Sequence, residues 1–234
     1  MANSLKDYKE GILKILGKSS GVIKNVNEKD IERFGSGSYL LDRELGGGHV
    51  KGKIIELYGD NQSGKTTQCI HIVSEFQKKY PDEPVIWLDL EDVFDKTYFE
   101  ALGVNLDEDK FMLLQPETGE DSWQTVISFA KSIKGGLVVI DSVSLLLPEK
   151  EDEGLVGDAQ MGSAARMNSQ ALRKLMPHLT KAKTTVVLIN QTRSSIGGYG
   201  DPNVTTGVNA FKFYARKKRF PLSSFDELWL AGRY

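Results

Sequence analysis

The sequence predicts an α/β fold in which helices flank a mainly parallel sheet. Short apolar runs rich in β-branched residues alternate with stretches of helical periodicity, which is typical of parallel strands connected by helices. A glycine-rich motif also lies where the first of these regular runs meets a helix. The chain has 234 residues, 40% of them hydrophobic, and is therefore long enough to bury a substantial core.

Residues 1–34 are predicted to form an N-terminal helical arm that precedes the sheet. Apolar residues of this segment recur on one helical stripe, which comprises Leu5, Tyr8, Ile12, Leu13 and Leu16. Such a stripe must pack on another surface. That surface is either the chain's own core or a neighbouring subunit.

The elements of the core follow in regular alternation. The predicted strands span residues 53–59, 84–90, 110–115, 136–141 and 184–190. The predicted helices span residues 65–80, 95–102, 122–132 and 161–180. In the last helix the apolar residues form one buried stripe, which comprises Ala164, Met167, Ala171, Leu175 and Leu179.

The composition is that of a globular protein of the cytoplasm. A formal net charge of −2 says little about partners, because nucleic-acid binding depends on local basic clusters rather than on the total. The single cysteine, Cys69, excludes an internal disulfide and fits a reducing compartment. No apolar run reaches the roughly 18 residues of a membrane span, and the first residues are too charged for a signal peptide.

Residues 59–67, GDNQSGKTT, match the phosphate-loop pattern G-x-x-x-x-G-K-[ST] between a predicted strand and a predicted helix. Glycines let backbone N–H groups curve around phosphate oxygens, and the helix N-terminus adds its positive dipole end. Lys65 is expected to reach the β- and γ-phosphates, and the Thr66 hydroxyl to ligate Mg²⁺. The motif predicts ATP or GTP binding rather than a plain glycine-rich turn. The predicted binding residues are Gly59, Asp60, Asn61, Gln62, Ser63, Gly64, Lys65, Thr66 and Thr67.

Carboxylates follow two other predicted strands. Asp141 ends the run LVVID and is expected to hold Mg²⁺ through water, although many strands end in Asp as a turn residue. The stretch WLDLED puts Asp89, Glu91 and Asp92 at the sheet edge where ligands bind. Glu91 is a candidate to activate water for attack on a γ-phosphate. The alternatives are a solvated acidic loop or a charge that favours a helix N-terminus.

The segment from Asn190 to Phe211, NQTRSSIGGYGDPNVTTGVNAF, contains very few residues that a core would bury. It is predicted to be a long loop without internal structure. Loops of this length in compact domains are usually either functional or disordered.

Several segments together resemble the bacterial-type RecA recombinase family. The resemblance runs from about residue 35 to residue 215 and rests on GSGSYLLDRELGGG, GKIIELYGDNQSGKTT, WLDLEDVFDKTYFEALGVN, QPETGE, VVIDSVSLLLPEKEDEGLVGDAQMGSAARMNSQALRKL and INQTRSSIGGYGDPNVTTGVNAFKFYA. It implies a RecA-type ATPase core that uses ATP and Mg²⁺. In that core, the strand ending at Asn190 lies between the phosphate-loop strand and the strand ending at Asp141.

The resemblance also implies roles for individual residues of the nucleotide site. Glu91 matches the catalytic carboxylate of the family, and Gln191 matches the glutamine that senses the γ-phosphate. Asp95 and Tyr98 match residues that hold and stack on adenine. With Lys65, Glu91 and Gln191 form the predicted catalytic set.

The same resemblance implies a DNA-binding surface. Residues 151–158 resemble the first DNA-binding loop of the family, and residues 192–208 resemble the second. The implied DNA-binding residues are Met161, Arg166, Ser169, Arg173, Arg193, Ile196, Tyr199, Gly207 and Asn209. The implied partners are single-stranded DNA, then homologous duplex DNA, and further copies of the chain joined into a helical filament through residues 1–34.

Together these features indicate an ATP-dependent recombinase that pairs and exchanges DNA strands. The alternatives are a truncated member that binds ATP and DNA but does not exchange strands, and a regulatory RecA-like ATPase. The resemblance stops at residues 216–234, a divergent tail in which four consecutive cations stand where a core strand is expected. That tail is predicted to be either solvated or in contact with DNA phosphates, and its last apolar residues are either a short helix over the sheet edge or unrelated sequence.

Overall fold

The computed structural model describes residues 31–152, 154, 162–194, 203–205, 211 and 220–221. The chain separates into two compact units, Met1–Glu32 and Arg33–Tyr234. The predicted N-terminal arm lies almost wholly outside the described residues, so its role stays a prediction. Within the described ranges, the helices are too short or too polar to span a bilayer.

The elements alternate along the chain as the sequence predicts. The strands are β1 Arg33–Phe34, β2 His49–Val50, β3 Ile54–Gly59, β4 Val85–Asp89, β5 Phe111–Leu114, β6 Leu137–Asp141, β7 Thr185–Ser194, β8 Asn203–Thr205 and β9 Phe220–Pro221. The α-helices are α1 Tyr39–Leu45, α2 Lys65–Lys79, α3 Lys96–Ala101, α4 Gly119–Ser132, α5 Glu149–Asp152 and α6 Ser163–Ala182, with a 3₁₀ turn at Val143–Leu145.

The main sheet has the strand order β5-β4-β6-β7-β3-β9, and all pairs along this path are parallel. One hydrophobic cluster covers the face next to α4 and α6, and another covers the face next to α2 and α3. The predicted α/β fold is confirmed. The position of β7 between the phosphate-loop strand β3 and the strand β6 that ends at Asp141 is confirmed with it.

Local sequence sets several helix starts. The side chains of Ser38, Asp95 and Thr118 precede α1, α3 and α4 and accept hydrogen bonds from backbone N–H groups of the first turn. Helix α4 begins three residues earlier than its apolar pattern predicts, because Thr118 caps it at that point. Helix α6 begins at Ser163 rather than at residue 161, because Gly162 has a left-handed φ of 83° that a continuing helix does not accommodate.

The elements that precede β3 are not predicted from the sequence. Strands β1 and β2 form a two-residue antiparallel ribbon in which Phe34 pairs with His49. The Arg33 guanidinium fastens this ribbon to α1, because its Nη1 donates to the carbonyl oxygens of Leu45 (3.0 Å) and Gly48 (2.9 Å). Strands this short carry no periodic signal, so only the tertiary contacts define them.

The prediction that residues 190–211 form a loop without internal structure is wrong for residues 190–194 and 203–205, which the structure describes as strand. Strand β7 continues past Asn190 to Ser194 and is ten residues long. Its last three residues pair antiparallel with β8, in the register Thr192↔Thr205, Arg193↔Val204 and Ser194↔Asn203. This pairing, the β7–β8 ladder, satisfies backbone groups that a loop would leave to water.

In the predicted C-terminal tail, residues 220–221 are described. They form β9 and pair in parallel with Leu57 and Tyr58 of β3. The cationic run 216–219 and the residues after 221 lie outside the described part of the chain. Their predicted contacts with solvent or with DNA stay predictions.

A buried histidine makes the stability of the β1–β2 ribbon depend on pH. The His49 side chain is 4% exposed and lies 5.8 Å from the Phe34 ring, between ring centroids. Its Nε2 has no hydrogen-bond partner among the described residues, and burial lowers the pKa of His49 to about 4. The folded chain therefore resists protonation that the unfolded chain accepts below its ordinary pKa of about 6.5.

We expect the free energy of unfolding of the wild type to fall by about 2 kcal/mol between pH 7 and pH 5 because of His49. The stability that neutral His49 contributes is fully present above pH 6.5 and falls as the pH drops towards 4. His49→Phe removes the titrating group and fills a similar volume. Urea unfolding of both chains at the two pH values measures the difference, and the comparison between chains cancels other groups that titrate. Equal pH dependence in the two chains would contradict the assignment.

Candidate nucleotide site and nucleic-acid surface

The loop between β3 and α2 has the backbone geometry of a phosphate loop. Gln62 and Gly64 have left-handed φ values of 61° and 80°. The Lys65 ammonium folds back over the loop and donates to the carbonyl oxygens of Gly59 (3.2 Å) and Asp60 (2.6 Å). Burial lowers the pKa of Lys65, while the nearby carboxylates, Glu91 first among them, act to raise it. A lysine ammonium beside a glycine-containing loop at the N-terminus of a helix suits a polyphosphate.

Thr66 and Asp141 meet beside this loop. The Thr66 Oγ1 donates to the Asp141 Oδ2 at 2.9 Å. Asp141 is 1% exposed, and its Oδ1 has no hydrogen-bond partner among the described residues. Burial raises the pKa of Asp141 to about 7, and the Thr66 hydrogen bond opposes that shift.

These two side chains fit a Mg²⁺ ion that is shared with a nucleotide. An unpartnered carboxylate oxygen and a neighbouring hydroxyl are hard oxygen ligands of the kind that Mg²⁺ prefers. In the described ranges, no group of three or more His, Cys, Asp or Glu side chains could hold a metal alone. Mg²⁺ usually takes one or two protein ligands, and phosphate oxygens and water complete its shell.

The three carboxylates of the WLDLED stretch have different environments. Asp89 is buried and shapes the turn after β4, because its carboxylate accepts from the backbone N–H groups of Val93 (3.2 Å) and Phe94 (3.0 Å). Asp92 is exposed and accepts from the Gln115 side-chain amide at 2.9 Å. The structure therefore ties Asp89 and Asp92 to local architecture and leaves the third carboxylate, Glu91, to face the cavity.

Glu91 is held by side chains from two neighbouring strands. Its Oε1 accepts from the Gln191 Nε2 at 3.0 Å and from the Ser142 Oγ at 2.5 Å. Gln191 reaches this point because it pairs with Gly59, the first residue of the phosphate loop, in the β3–β7 register. The predicted catalytic residues Lys65, Glu91 and Gln191 thus line one cavity.

A buried polar pair supports the backbone at Gln191. The Asn190 Nδ2 donates to the Glu56 Oε1 at 3.0 Å, and the Asn190 Oδ1 accepts from the Gln191 N–H at 2.9 Å. Both Asn190 and Glu56 are almost fully buried. The pair fixes the register of β7 against β3 at the residue that contacts Glu91.

The cavity has a volume of about 510 Å³. This size lies in the range of sites for small molecules and cofactors. Its lining residues are Asn61, Gln62, Ser63, Gly64, Lys65, Thr66, Thr67, Glu91, Asp141, Ile189 and Gln191. Gly59 and Asp60, which the motif also includes, contribute the carbonyl oxygens that hold Lys65.

The predicted adenine residues lie next to the cavity rather than in its lining. The Tyr98 hydroxyl contacts the Thr67 Oγ1 at 2.9 Å, and the Tyr98 side chain is 42% exposed. Asp95 caps α3 by accepting from the Tyr98 N–H at 3.0 Å. Asp95 and Tyr98 therefore form one unit at the outer end of the phosphate loop, where a base could stack on the exposed ring.

Three of the predicted DNA-binding residues are described with their side chains. Arg166 and Arg173 are exposed and Ser169 is half-buried, all on α6. The 20 residues of α6 include no Asp or Glu. For Arg193, the structure describes the backbone, in the β7–β8 ladder. The other predicted contacts lie outside the described residues, and they are Met161, Ile196, Tyr199, Gly207 and Asn209.

A family model described as the RecA N-terminal domain matches residues 3–222 of the chain. The chain belongs to the RecA family. Its curated relatives include three that are each named Protein RecA. That of Trichodesmium erythraeum is 43% identical over 206 residues, which are 87% of this chain and 56% of the relative. That of Cereibacter sphaeroides is 43% identical over 217 residues, which cover 92% of this chain and 60% of the relative. That of Porphyromonas gingivalis is 41% identical over an alignment of 235 residues, which covers 96% of this chain and 67% of the relative.

This RecA-family chain spans 56%, 60% and 67% of the length of these three relatives. The family match covers the phosphate loop, Glu91, Asp141 and Gln191, and it ends at residue 222, within the predicted tail of residues 216–234. Family membership therefore accounts for the arrangement of the cavity. Ser142, Ser144, Glu56 and Asn190 were not singled out from the sequence, because neither motif nor spacing distinguishes them from ordinary strand-end residues.

Proposed function

We propose that this chain is an ATP-dependent recombinase that binds single-stranded DNA. One observation carries the proposal. Gln191 donates to Glu91 inside the cavity and is followed directly by Thr192, the first residue of the β7–β8 ladder. A change at the γ-phosphate position is therefore passed along a single strand into the segment that resembles a DNA-binding loop.

The side chains divide the chemistry of hydrolysis among them. When bound, Mg²⁺-ATP supplies the γ-phosphate that is transferred to water and the cation that neutralises charge developing on its oxygens. Lys65 and the loop N–H groups would bind phosphate oxygens, while Thr66 and Asp141 would hold the Mg²⁺ ion. Glu91 orients water and accepts its proton. Gln191 reports on the γ-phosphate by exchanging its hydrogen bond to Glu91 for one to the nucleotide.

The nucleic acid is bound without reading its sequence. Arg166 and Arg173 are seven residues apart on α6, so they lie on one face of the helix and can contact successive phosphates. The affinity of such phosphate contacts for DNA falls as the salt concentration rises, because binding releases counterions from the DNA. Copies of the chain polymerise along the strand with ATP between neighbours, and the bound strand then pairs with homologous duplex DNA.

The test is ATP turnover by the purified chain with and without poly(dT), at low salt and then at increasing salt. We expect poly(dT) to raise the turnover rate several-fold and the increase to fade as salt rises. Lys65→Ala should abolish both rates, whereas Lys79→Ala, an exposed lysine at the end of α2, serves as the matched control. ATP binding without any affinity for poly(dT) would overturn the DNA part of the proposal. ATP binding without turnover would indicate a member that does not complete the reaction.

A further inference from the structure

Two serine hydroxyls stand in a row behind Glu91. The Ser142 Oγ donates to the Glu91 Oε1, and the Ser142 and Ser144 Oγ atoms lie 2.6 Å apart. Ser142 is fully buried and Ser144 is half-buried in the 3₁₀ turn that follows β6. The row thus begins at the cavity, passes through the buried Ser142 hydroxyl and ends at the half-buried Ser144.

The sheet register brings Ser142 to Glu91. Strands β4 and β6 are parallel neighbours in which Asp89 pairs with Asp141, and the Leu90 N–H donates to the Asp141 carbonyl at 2.7 Å. The loops after the two strands therefore leave the sheet side by side. Ser142 is the first residue after β6, so its side chain meets the loop that carries Glu91.

Each serine hydroxyl has one proton to donate, and this sets the direction of the hydrogen bonds among Ser144, Ser142 and Glu91. An ionised carboxylate only accepts, so Ser142 must give its single hydroxyl proton to Glu91. Ser142 can then only accept from Ser144, which makes Ser144 the donor of the second bond. The row is a one-way chain, Ser144 to Ser142 to Glu91, and each donation strengthens the next.

The two donors to Glu91 lie in different structural surroundings. Gln191 lies on the strand that continues into the β7–β8 ladder, and in the proposed function it leaves Glu91 when a γ-phosphate is bound. Ser142 follows a strand whose five residues are all buried, so its position does not depend on the ladder. Both donors use Oε1, and within the described part of the chain Oε2 has no hydrogen-bond partner.

We propose that Ser142 is the positioning residue that keeps Glu91 in its catalytic orientation after Gln191 has turned to the nucleotide, with Ser144 orienting the Ser142 hydroxyl. The inference rests on the proposed ATP hydrolysis. It assigns Oε1 to anchoring and Oε2 to accepting the proton of water. Without Ser142, Glu91 would have no side-chain donor among the described residues during turnover and would sample several rotamers, which dilutes the productive one.

The first arm of the test uses the chain without nucleotide. Glutamate labelled with ¹³C at Cδ gives a carboxyl signal for Glu91, which is identified by its loss in Glu91→Gln. We expect Ser142→Ala to move this signal and Ser142→Thr, which keeps the hydroxyl, to restore its position. Ser144→Ala should give a smaller displacement. Ser128→Ala, which removes an exposed hydroxyl on α4, should leave the signal in place.

The second arm measures ATP turnover by the same variants. We expect Ser142→Ala to lower kcat about tenfold with an unchanged KM, because the lost hydrogen bond to a charged group acts on the reacting step rather than on binding. Ser142→Thr should recover most of the rate, and Ser144→Ala should lower it by a smaller factor.

The outcomes separate this inference from the proposed function. A wild type that does not hydrolyse ATP overturns the proposed function and the catalytic role of Ser142 together, while a displaced Glu91 signal still shows that Ser142 holds the carboxylate. An active wild type whose Ser142→Ala variant keeps kcat overturns the inference alone. Equal loss of kcat in Ser142→Ala and Ser142→Thr, with both chains folded by circular dichroism, also overturns it, because the hydroxyl would not be the cause.

Discussion

Glu91→Gln is expected to lower ATP turnover by roughly 10²- to 10⁴-fold while nucleotide binding is retained, because it removes the general base and little else. Glutamine has nearly the same shape as glutamate, and its carbonyl oxygen can still accept from the Gln191 Nε2 and the Ser142 Oγ. Its amide group takes the place of Oε2 and cannot accept a proton from water. Removing a negative charge near the γ-phosphate position should also keep or strengthen ATP affinity.

The matched control for this experiment is Asp92→Asn. Asp92 lies one residue further along the same loop and is exposed, and an asparagine oxygen can keep the hydrogen bond from Gln115. Turnover at saturating Mg²⁺-ATP and calorimetric titration with a non-hydrolysable analogue separate chemistry from binding. A Glu91→Gln chain that retains more than a tenth of the wild-type rate would exclude Glu91 as the base. A fall of similar size in Asp92→Asn would implicate the loop as a whole.

Gly48→Ala is expected to destabilise the fold by about 3–5 kcal/mol, a large part of the total stability of a typical domain. Gly48 has a φ of 97°, which an L side chain rarely adopts. A Cβ at this position would lie 2.2 Å from the carbonyl oxygen of Phe34. That oxygen belongs to the backbone of β1, so relief requires the whole β1–β2 ribbon to separate and expose Phe34 and His49.

Gly46→Ala isolates the clash from the backbone conformation. Gly46 ends α1 with a φ of 71°, and a Cβ there would have no neighbour within 4 Å. This substitution should cost only about 1–2 kcal/mol, the price of a left-handed conformation for alanine. Denaturant unfolding of the two variants and wild type gives both values. Equal destabilisation at the two positions would show that the contact with Phe34 is relieved at no cost.

The sequence is a good guide to the main sheet for a physical reason. Strands β4 and β6 are buried along their whole length, so both faces must be apolar and the runs stand out from their surroundings. The phosphate loop was equally predictable, because few residue types allow its backbone conformation. The role of Glu91 was harder to predict from the sequence. Asp89, Glu91 and Asp92 are similar carboxylates in one stretch of sequence. Only the folded turn after β4 shows that Asp89 and Asp92 accept local hydrogen bonds and that Glu91 faces the cavity.

The remaining features depend on contacts between distant parts of the chain. Glu56 and Asn190 are 134 positions apart and become partners only through the β3–β7 register. Ser142 reaches Glu91 in the same way, across 51 positions. The continuation of β7 was hidden because its last residues, Thr192, Arg193 and Ser194, have the polar composition of a loop, and their strand partner β8 lies about ten residues further along the chain.

Strand β7 changes its partners between two consecutive residues. Up to Gln191 it is paired with the parallel strands of the core, and from Thr192 it is paired with β8. We therefore expect the two halves of β7 to differ in stability, because the half within the buried sheet can open only with the core, whereas the half paired with β8 can open locally. Residues Thr192–Ser194 can therefore separate from β8 and pair with it again many times within the lifetime of one folded molecule, while the sheet that carries the nucleotide site stays intact.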